Sequence, residues 1–512
     1  MSIRPTRPAP LAALPAQVHT LIVGTGFAGL AAAHKILTEK TSSDVVLIER
    51  AADVGGTWRD NTYPGAACDV PSNLYSFSFA PSPAWTHNYA RQPEIFDYLK
   101  SVADSHGMRE RTVFDCELLS ARWDSETSRW NVETSQGTTS AQVLVAATGT
   151  LSNPSFPDVP GIGDFTGTMF HSATWDHGFD PAGKRIAVVG TGASAIQFVP
   201  ELADPAEHLT VFQRTPAWII PRLERPIGAL ERRLYKVLPP TQKIARGALY
   251  AYREGYVVAL AKFTFLLPLF KLVAQGQLRR QVSDPVLRKK LTPGFTIGCK
   301  RMLLSNTWLR TLSRPDVDLV DTGMSAMTAE GVVDGNGVEH KVDAVVFGTG
   351  FTATEPPVAQ VLHGADGRSL AESWNGSPSA YRGTSVNGFP NLFLMYGPNT
   401  NLGHSSIVYM LESQANYINS AIAQMSDRKL SSIDVTRRAQ EAYNDDIDEQ
   451  LTDTVWNAGG CSSWYFDRKG RNSVMWPTFT WEFRKLLRTT DLGDFELRRG
   501  APAAQPRESE SA

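Results

Sequence analysis

The sequence predicts an α/β protein with two Rossmann-type dinucleotide-binding domains and a helical insert. Three observations predict it. A strand, a glycine-rich turn, a helix and a second strand ending in an acid occupy residues 18–50. The same order recurs at 184–215, this time without the acid. A basic, largely apolar stretch follows at 222–297.

In the first unit, V-H-T-L-I-V reads as a buried strand running into Gly24-x-Gly26-x-x-Gly29. One glycine makes the tight turn, one lets the backbone approach a pyrophosphate, and one lets helix and strand pack closely. The helix N-terminus then offers free N–H groups and its positive dipole end to the phosphates. Glu49 ends the second strand, 20 residues after Gly29, where a carboxylate accepts hydrogen bonds from ribose hydroxyls. The second unit places Gly190, Gly192 and Ala195 after K-R-I-A-V-V, with Ser194 and Gln197 at the start of its helix. Its ribose position carries Gln213-Arg214-Thr215. An arginine there suits a 2′-phosphate, which a carboxylate would repel. The first nucleotide is therefore expected to be FAD and the second NADPH.

Val143–Gly149 and Val342–Phe351 are apolar strands running into small-residue turns, where the chain is expected to pass between domains. The expected FAD domain uses 17–155 and 352–500, and the NADP domain 156–221 and 298–351. The insert spans 222–297, with flexible tails at 1–16 and 501–512.

Composition narrows the class. A net charge of −2 over 512 residues argues against a dedicated nucleic-acid binder. With 12 Trp, 14 Tyr and 23 Phe, the chain is not mostly disordered. Cys68, Cys116, Cys299 and Cys461 are scattered, so neither zinc spacing nor a disulfide framework is expected, and no metal site. A reducing, cytoplasmic setting is the default for such a chain. No run of about 18 apolar residues predicts a transmembrane span. Residues 222–300 hold 16 Lys/Arg against four Asp/Glu, a net +12. Within them, 256–273 is mostly apolar, with Lys262, Pro268 and Lys271 expected to break it. The insert reads as a helical lining for a substrate tunnel, or as a surface making weak contact with anionic membranes.

Phe165-x-Gly167-x3-His171-x3-Trp175-Asp176 resembles the fingerprint of type I (class B) Baeyer–Villiger flavin monooxygenases. Gly55-Gly56-Thr57-Trp58, Tyr63-Pro64-Gly65 and Asp69 match a second signature of that family. With the two glycine motifs and the pair Lys300-Arg301, the resemblance covers most of the chain. It implies an NADPH- and O2-dependent oxidoreductase that turns a small-molecule ketone into an ester or lactone through a C4a-peroxyflavin, with sulfoxidation as a side activity.

Such chemistry needs a fixed cation beside the flavin, and an arginine keeps its charge at any working pH. The resemblance gives that catalytic role to Arg301, with Asp69 as the counter-ion that orients it. It puts Lys300 with Arg214 on the 2′-phosphate, and Thr57, Trp58, Asp69, Tyr75 and Leu118 at flavin contacts. Gln92 falls at a nicotinamide-nucleotide contact, and Trp464 matches a tryptophan that closes over NADP. Around Trp464, C-S-S-W-Y-F departs from the commoner S-W-I-F-G-A-N. Backbone N–H groups of 397–406 are expected near the flavin pyrimidine. His171 is implied to be structural, at the domain hinge.

The alternative is an N- or S-oxygenating flavin-containing monooxygenase, against which Trp175 and Arg301 argue. A flavin disulfide reductase would need a redox cysteine pair where this chain has none, between 51 and 67.

Overall fold

The computed structural model describes residues 9–352 and 354–499. β1 (Gln17–Val23), α1 (Phe27–Thr38) and β2 (Val45–Ile48) form the first unit, with β1 and β2 parallel. All four residues of β2 are buried, as expected of a parallel strand covered on both faces. α2 (Thr57–Asp60) and α3 (Gln92–Ser105) follow, then β3 (Thr112–Val113) joins parallel to β2. β4 (Leu118–Asp124), β5 (Arg129–Thr134) and β6 (Gly137–Ala146) make an antiparallel meander. β6 ends beside β1 and parallel to it.

The chain then builds a second sheet from β7 (Thr168–His171), β8 (Arg185–Val189) and, after α4 (Ala195–Leu202), β9 (His208–Phe212). Strands Val317–Val320 and Ala344–Phe347 complete five parallel strands. The last third returns to the first sheet. Leu362–His363 pairs with β4, Leu392–Leu394 pairs with β6, and the helix Ile407–Asp427 packs on α1.

The two connections between the sheets bind each other. Ser155 N–H donates to Gly350 O at 2.9 Å and Thr352 N–H to Asn153 O at 3.3 Å, while Pro154 bridges to Phe351. His171 lies between them, its ring 5.4 Å from Phe156 and 5.9 Å from Phe351. It is fully buried, and burial lowers its pKa to about 4. Its Nδ1 accepts the Ala173 N–H at 3.0 Å, so the neutral ring is the form the fold uses.

The insert folds as α5 (Ala229–Val237), α6 (Pro239–Val257), α7 (Leu267–Gln281) and a short helix Pro285–Lys290. The apolar run breaks at Phe263, not at Pro268 or Lys271, and the segments on either side are bent by 109°. Pro268 sits in the first turn of α7, where a missing N–H costs nothing. Among the described residues no single helix is long and apolar enough to cross a membrane.

Two expectations are corrected. Part of the expected N-terminal tail is tied down: Leu11 donates to Thr112 O at 3.0 Å, and Leu11 and Leu14 pack on the first sheet's core. Residues 1–8 and 501–512 lie outside the described residues. The cysteines do not all stay apart: Cys299 and Cys461 form a disulfide, with Cα atoms 6.1 Å apart. A separation of 162 residues hides this pairing from any reading of local spacing.

Cys68 and Cys116 are free and buried. Burial raises both thiols above their ordinary pKa, which withholds the reactive thiolate. Non-reducing peptide mapping is therefore expected to recover one linked peptide, 299 with 461. Cys68 and Cys116 should resist alkylation until the chain is unfolded; rapid labelling of either in the native protein would contradict this packing.

Candidate active site

The β1–α1 turn opens a long cleft of about 1590 Å³, continuous with solvent at its mouth. Its three glycines do separate jobs. Gly24 has φ +102°, and a Cβ there would lie 2.6 Å from Ala147 O. A Cβ on Gly29 would lie 1.9 Å from Gly24 O, so only glycine lets α1 pack this close. At Gly26 nothing is nearer than the Gly56 Cα, 3.8 Å away, which leaves the turn open to the cleft. No side chain caps α1, so its first N–H groups are free for a pyrophosphate.

Glu49 lines the cleft, but its carboxylate is already engaged. Thr25 donates to Oε2 through N–H (3.1 Å) and hydroxyl (2.7 Å). Oε1 accepts Ala51 N–H at 3.2 Å and pairs with Arg59 at 2.8 Å. A ribose bound there has to displace some of these donors, the Thr25 hydroxyl being the most easily turned aside. Thr57, Trp58, Tyr75 and Leu118 also line the cleft, and Trp58 Nε1 donates to the Tyr75 hydroxyl at 3.0 Å. Gln92 donates from Nε2 to Trp58 O, which fixes the turn behind that indole.

At the second nucleotide turn a Cβ on Gly190 would lie 2.4 Å from Gly348 O, while at Gly192 the same oxygen is 4.0 Å away. Ser194 stands at the N-cap of α4 without capping it, and the first turn closes on backbone oxygens instead, Ile196 N–H on Gly192 O at 3.1 Å and Gln197 N–H on Ser194 O at 3.0 Å. Arg214 and Thr215 are exposed at the end of β9. Lys300 is close enough to feel the Arg214 charge; burial first, then Arg214, lowers its pKa. Two neighbouring cations of this kind fit a phosphate. The Gln197 amide binds Tyr63 (3.1 Å) and Ala67 N–H and O (3.2 and 3.0 Å), so it also bridges the two folds.

Between the nucleotide turns, Arg301 holds Asp69 with two bonds of 2.7 Å, Nε to Oδ2 and Nη2 to Oδ1. Nη1 donates to Leu402 O at 3.2 Å, which leaves two of the five guanidinium N–H groups over. The pair is reachable: Arg301 keeps 32% and Asp69 26% of side-chain exposure. Burial works to raise the Asp69 pKa, but the Arg301 guanidinium holds it below the usual carboxylate range, helped by Arg253 and Arg222. Arg253 and Arg222 donate to the carbonyls of Asp69 (3.3 Å) and Cys68 (3.2 Å). The Arg301 charge also reaches Tyr396, which with Tyr75 lines the cleft. Burial pushes Tyr396 up to about 12, so it stays protonated.

Trp464 is 45% exposed and lines an adjoining cavity with Tyr396 and Gly397. Ser406 caps the helix after 397–406 by accepting Val408 N–H at 3.3 Å. The fingerprint residues line neither cavity. A Cβ on Gly167 would meet Asp343 O at 2.5 Å, and Phe165 lies across it. Trp175 packs on Phe170 and Phe198, and Asp176 accepts Gly178 N–H at 2.8 Å. Sequence reasoning missed Thr25, Arg59, Tyr396, Arg222 and Arg253. Arg59, next to the Gly-Gly-Thr-Trp signature, and Tyr396, just before G-P-N, carried positional hints.

Two glycine-rich nucleotide turns and a partly exposed guanidinium, with no cysteine between 51 and 67, fit a flavin-dependent monooxygenase. The Flavin-binding monooxygenase-like family matches residues 17–228. A Baeyer–Villiger monooxygenase of Streptomyces coelicolor is 47% identical over 95% of this chain and 94% of its own. One from Pseudomonas aeruginosa is 46% identical over 96% and 93%. A closed crystal structure of cyclohexanone monooxygenase superposes with TM-score 0.85 at 27% identity, covering 95% of this chain and 100% of that one. The chain belongs to the Baeyer–Villiger monooxygenase family.

The Lys300 shift fixes a sign. Its proton leaves at lower pH than an ordinary lysine's, so the KM for NADPH is expected to climb as pH rises through that lowered value. Arg214→Gln removes the repelling charge and moves this limb to higher pH. It should also raise the NADPH KM about 10- to 100-fold, the worth of one charge-assisted hydrogen bond. The NADH KM should not move; equal effects on both coenzymes would remove the 2′-phosphate assignment.

Proposed function

We propose that this protein uses NADPH and dioxygen to insert one oxygen atom beside the carbonyl of a small-molecule ketone, giving an ester or lactone, with sulfoxidation as a side activity. The observation that carries this reading is the two-bond Arg301–Asp69 pair, half open beside the tyrosines of the dinucleotide cleft. FAD, when bound, supplies the activation of dioxygen and the oxygen donor.

The chain supplies the rest. The β1–α1 turn and the free N–H groups of α1 hold the pyrophosphate, and Arg214 with Lys300 select the 2′-phosphate. Asp69 aims the Arg301 fork. The two spare N–H groups of Arg301 donate to the oxygen that turns negative as the carbonyl is attacked. A preorganised donor at such a point is worth about 10²–10³ in rate. Tyr75 and Tyr396 stay neutral, so neither competes for the guanidinium. Because the Asp69 pKa is lowered, the pair is intact above the ordinary carboxylate range. It is lost only as pH falls through the lowered value.

Incubation of a ketone panel with NADPH under air, read by GC–MS, is expected to give products heavier by one oxygen. Oxygenated amines with no ester from any ketone would overturn the reading. Arg301→Ala is expected to keep FAD and NADPH oxidation while ester formation falls about 10²–10³-fold. Ester formation at the wild-type rate would refute the role of Arg301.

A further inference from the structure

The insert helices expose apolar side chains on their outward faces. On α6 the polar side chains point inward. Gln242 donates to Asn73 Oδ1 at 2.9 Å, Arg246 to Asn73 O at 2.7 Å and Arg253 to Asp69 O, while Glu254 accepts Thr480 N–H at 2.8 Å. The outward face of the same helix is apolar: Ile244 is 72% exposed, with Ala248, Ala251 and Tyr252 exposed at helical spacing. On a helix of a soluble globular protein the stripe normally faces the core.

The neighbouring elements also carry apolar side chains outward. On α5, Leu230 (82% exposed), Leu234 and Val237 lie at i, i+4 and i+7. At the bend, Phe263 and Phe265 project, the latter 74% exposed. On α7, Leu269, Leu272 and Val273 form a third outward stripe. More than half of the large exposed apolar side chains among the described residues fall within 223–286. Concentrated exposure of this kind marks a contact surface.

Charge decides what it contacts. Arg233, Lys236, Lys243, Lys262, Arg279 and Arg280 are exposed on these helices and the bend, inside a segment of net +12 in a chain of net −2. A symmetric contact with a second copy would set this basic patch against itself, which repels. An anionic bilayer meets both needs, since its interface takes apolar side chains and its headgroups attract Lys and Arg. We propose that the outward face of α5–α7 docks on an anionic lipid surface, with Phe263 and Phe265 entering the interface. Tyr252 faces that surface while the next residue, Arg253, holds the Asp69 carbonyl. The docked face is therefore one helix away from the Arg301–Asp69 pair.

The test is vesicle flotation of the full-length, flavin-loaded protein, with phosphatidylcholine alone and with phosphatidylglycerol added. Flotation is expected only with the anionic vesicles and should weaken as salt rises. Each Lys near the surface is worth about fivefold in partition, so the triple variant K236E/K243E/K262E should lose about 100-fold or more. Phe263→Ser with Phe265→Ser should also abolish flotation. Both variants should keep wild-type flavin content and melting temperature, which separates lost docking from lost folding. Absence of flotation, or equal flotation on neutral vesicles, would overturn the proposal. So would a wild-type dimer in light scattering that the same substitutions split, since the face would then belong to a second copy. None of these readouts depends on which substrate the protein oxidises.

Discussion

Everything around the active centre serves one contact, the fork of Arg301 on the carboxylate of Asp69. The partners are 232 residues apart in sequence, one on a loop of the first fold and the other just beyond the insert. Two parallel N–H···O bonds fix direction as well as charge, which a lysine in place of Arg301 could not do. Full burial would strip both ions of hydration, and attraction alone often fails to repay that loss. This pair stays half open, with spare donors. Arg222 and Arg253 hold the loop carbonyls on the carboxylate's side and add positive charge that keeps Asp69 ionised.

The contact requires the two folds to keep their mutual placement. Three features hold it. The crossing strands bind each other at 153–155 and 350–352. The Gln197 amide ties α4 to Ala67. Gly65, at φ +78°, comes so near α4 that a Cβ would lie 2.7 Å from Gln197 O. The Baeyer–Villiger fingerprint lies along the edge strand of the second sheet and its following turn. There His171 meets Phe156 and Phe351, where the chain crosses between the two folds.

Features of the site that depend on local sequence could be read directly. The glycines announce themselves because a turn, a close approach and an open face each need a missing side chain. Arg214 stood out because it replaces an acid. The arrangement of partners was hidden wherever it depends on distant chain. The four donors on Glu49 include Arg59 and Thr25, Gln197 spends its amide on residues 130 and more positions away, and Cys299 meets Cys461 only after the fold closes. The insert misled for a different reason. Pro268 reads as a helix breaker, yet it opens a helix. Gln242, Arg246 and Glu254 of α6 face inward and pack, which the apolar pattern of 256–273 does not announce.

The Cys299–Cys461 bond has one more consequence. It sits directly before Lys300 and Arg301 and three residues before Trp464, and it turns 299–461 into a covalent macrocycle that contains the second crossing strand. Arg301 and the tryptophan of the adjoining cavity are therefore linked by two chemical routes, one short and one long. Hydrolysis of any single peptide bond within the loop would leave both on one molecule until a reductant opened the ring.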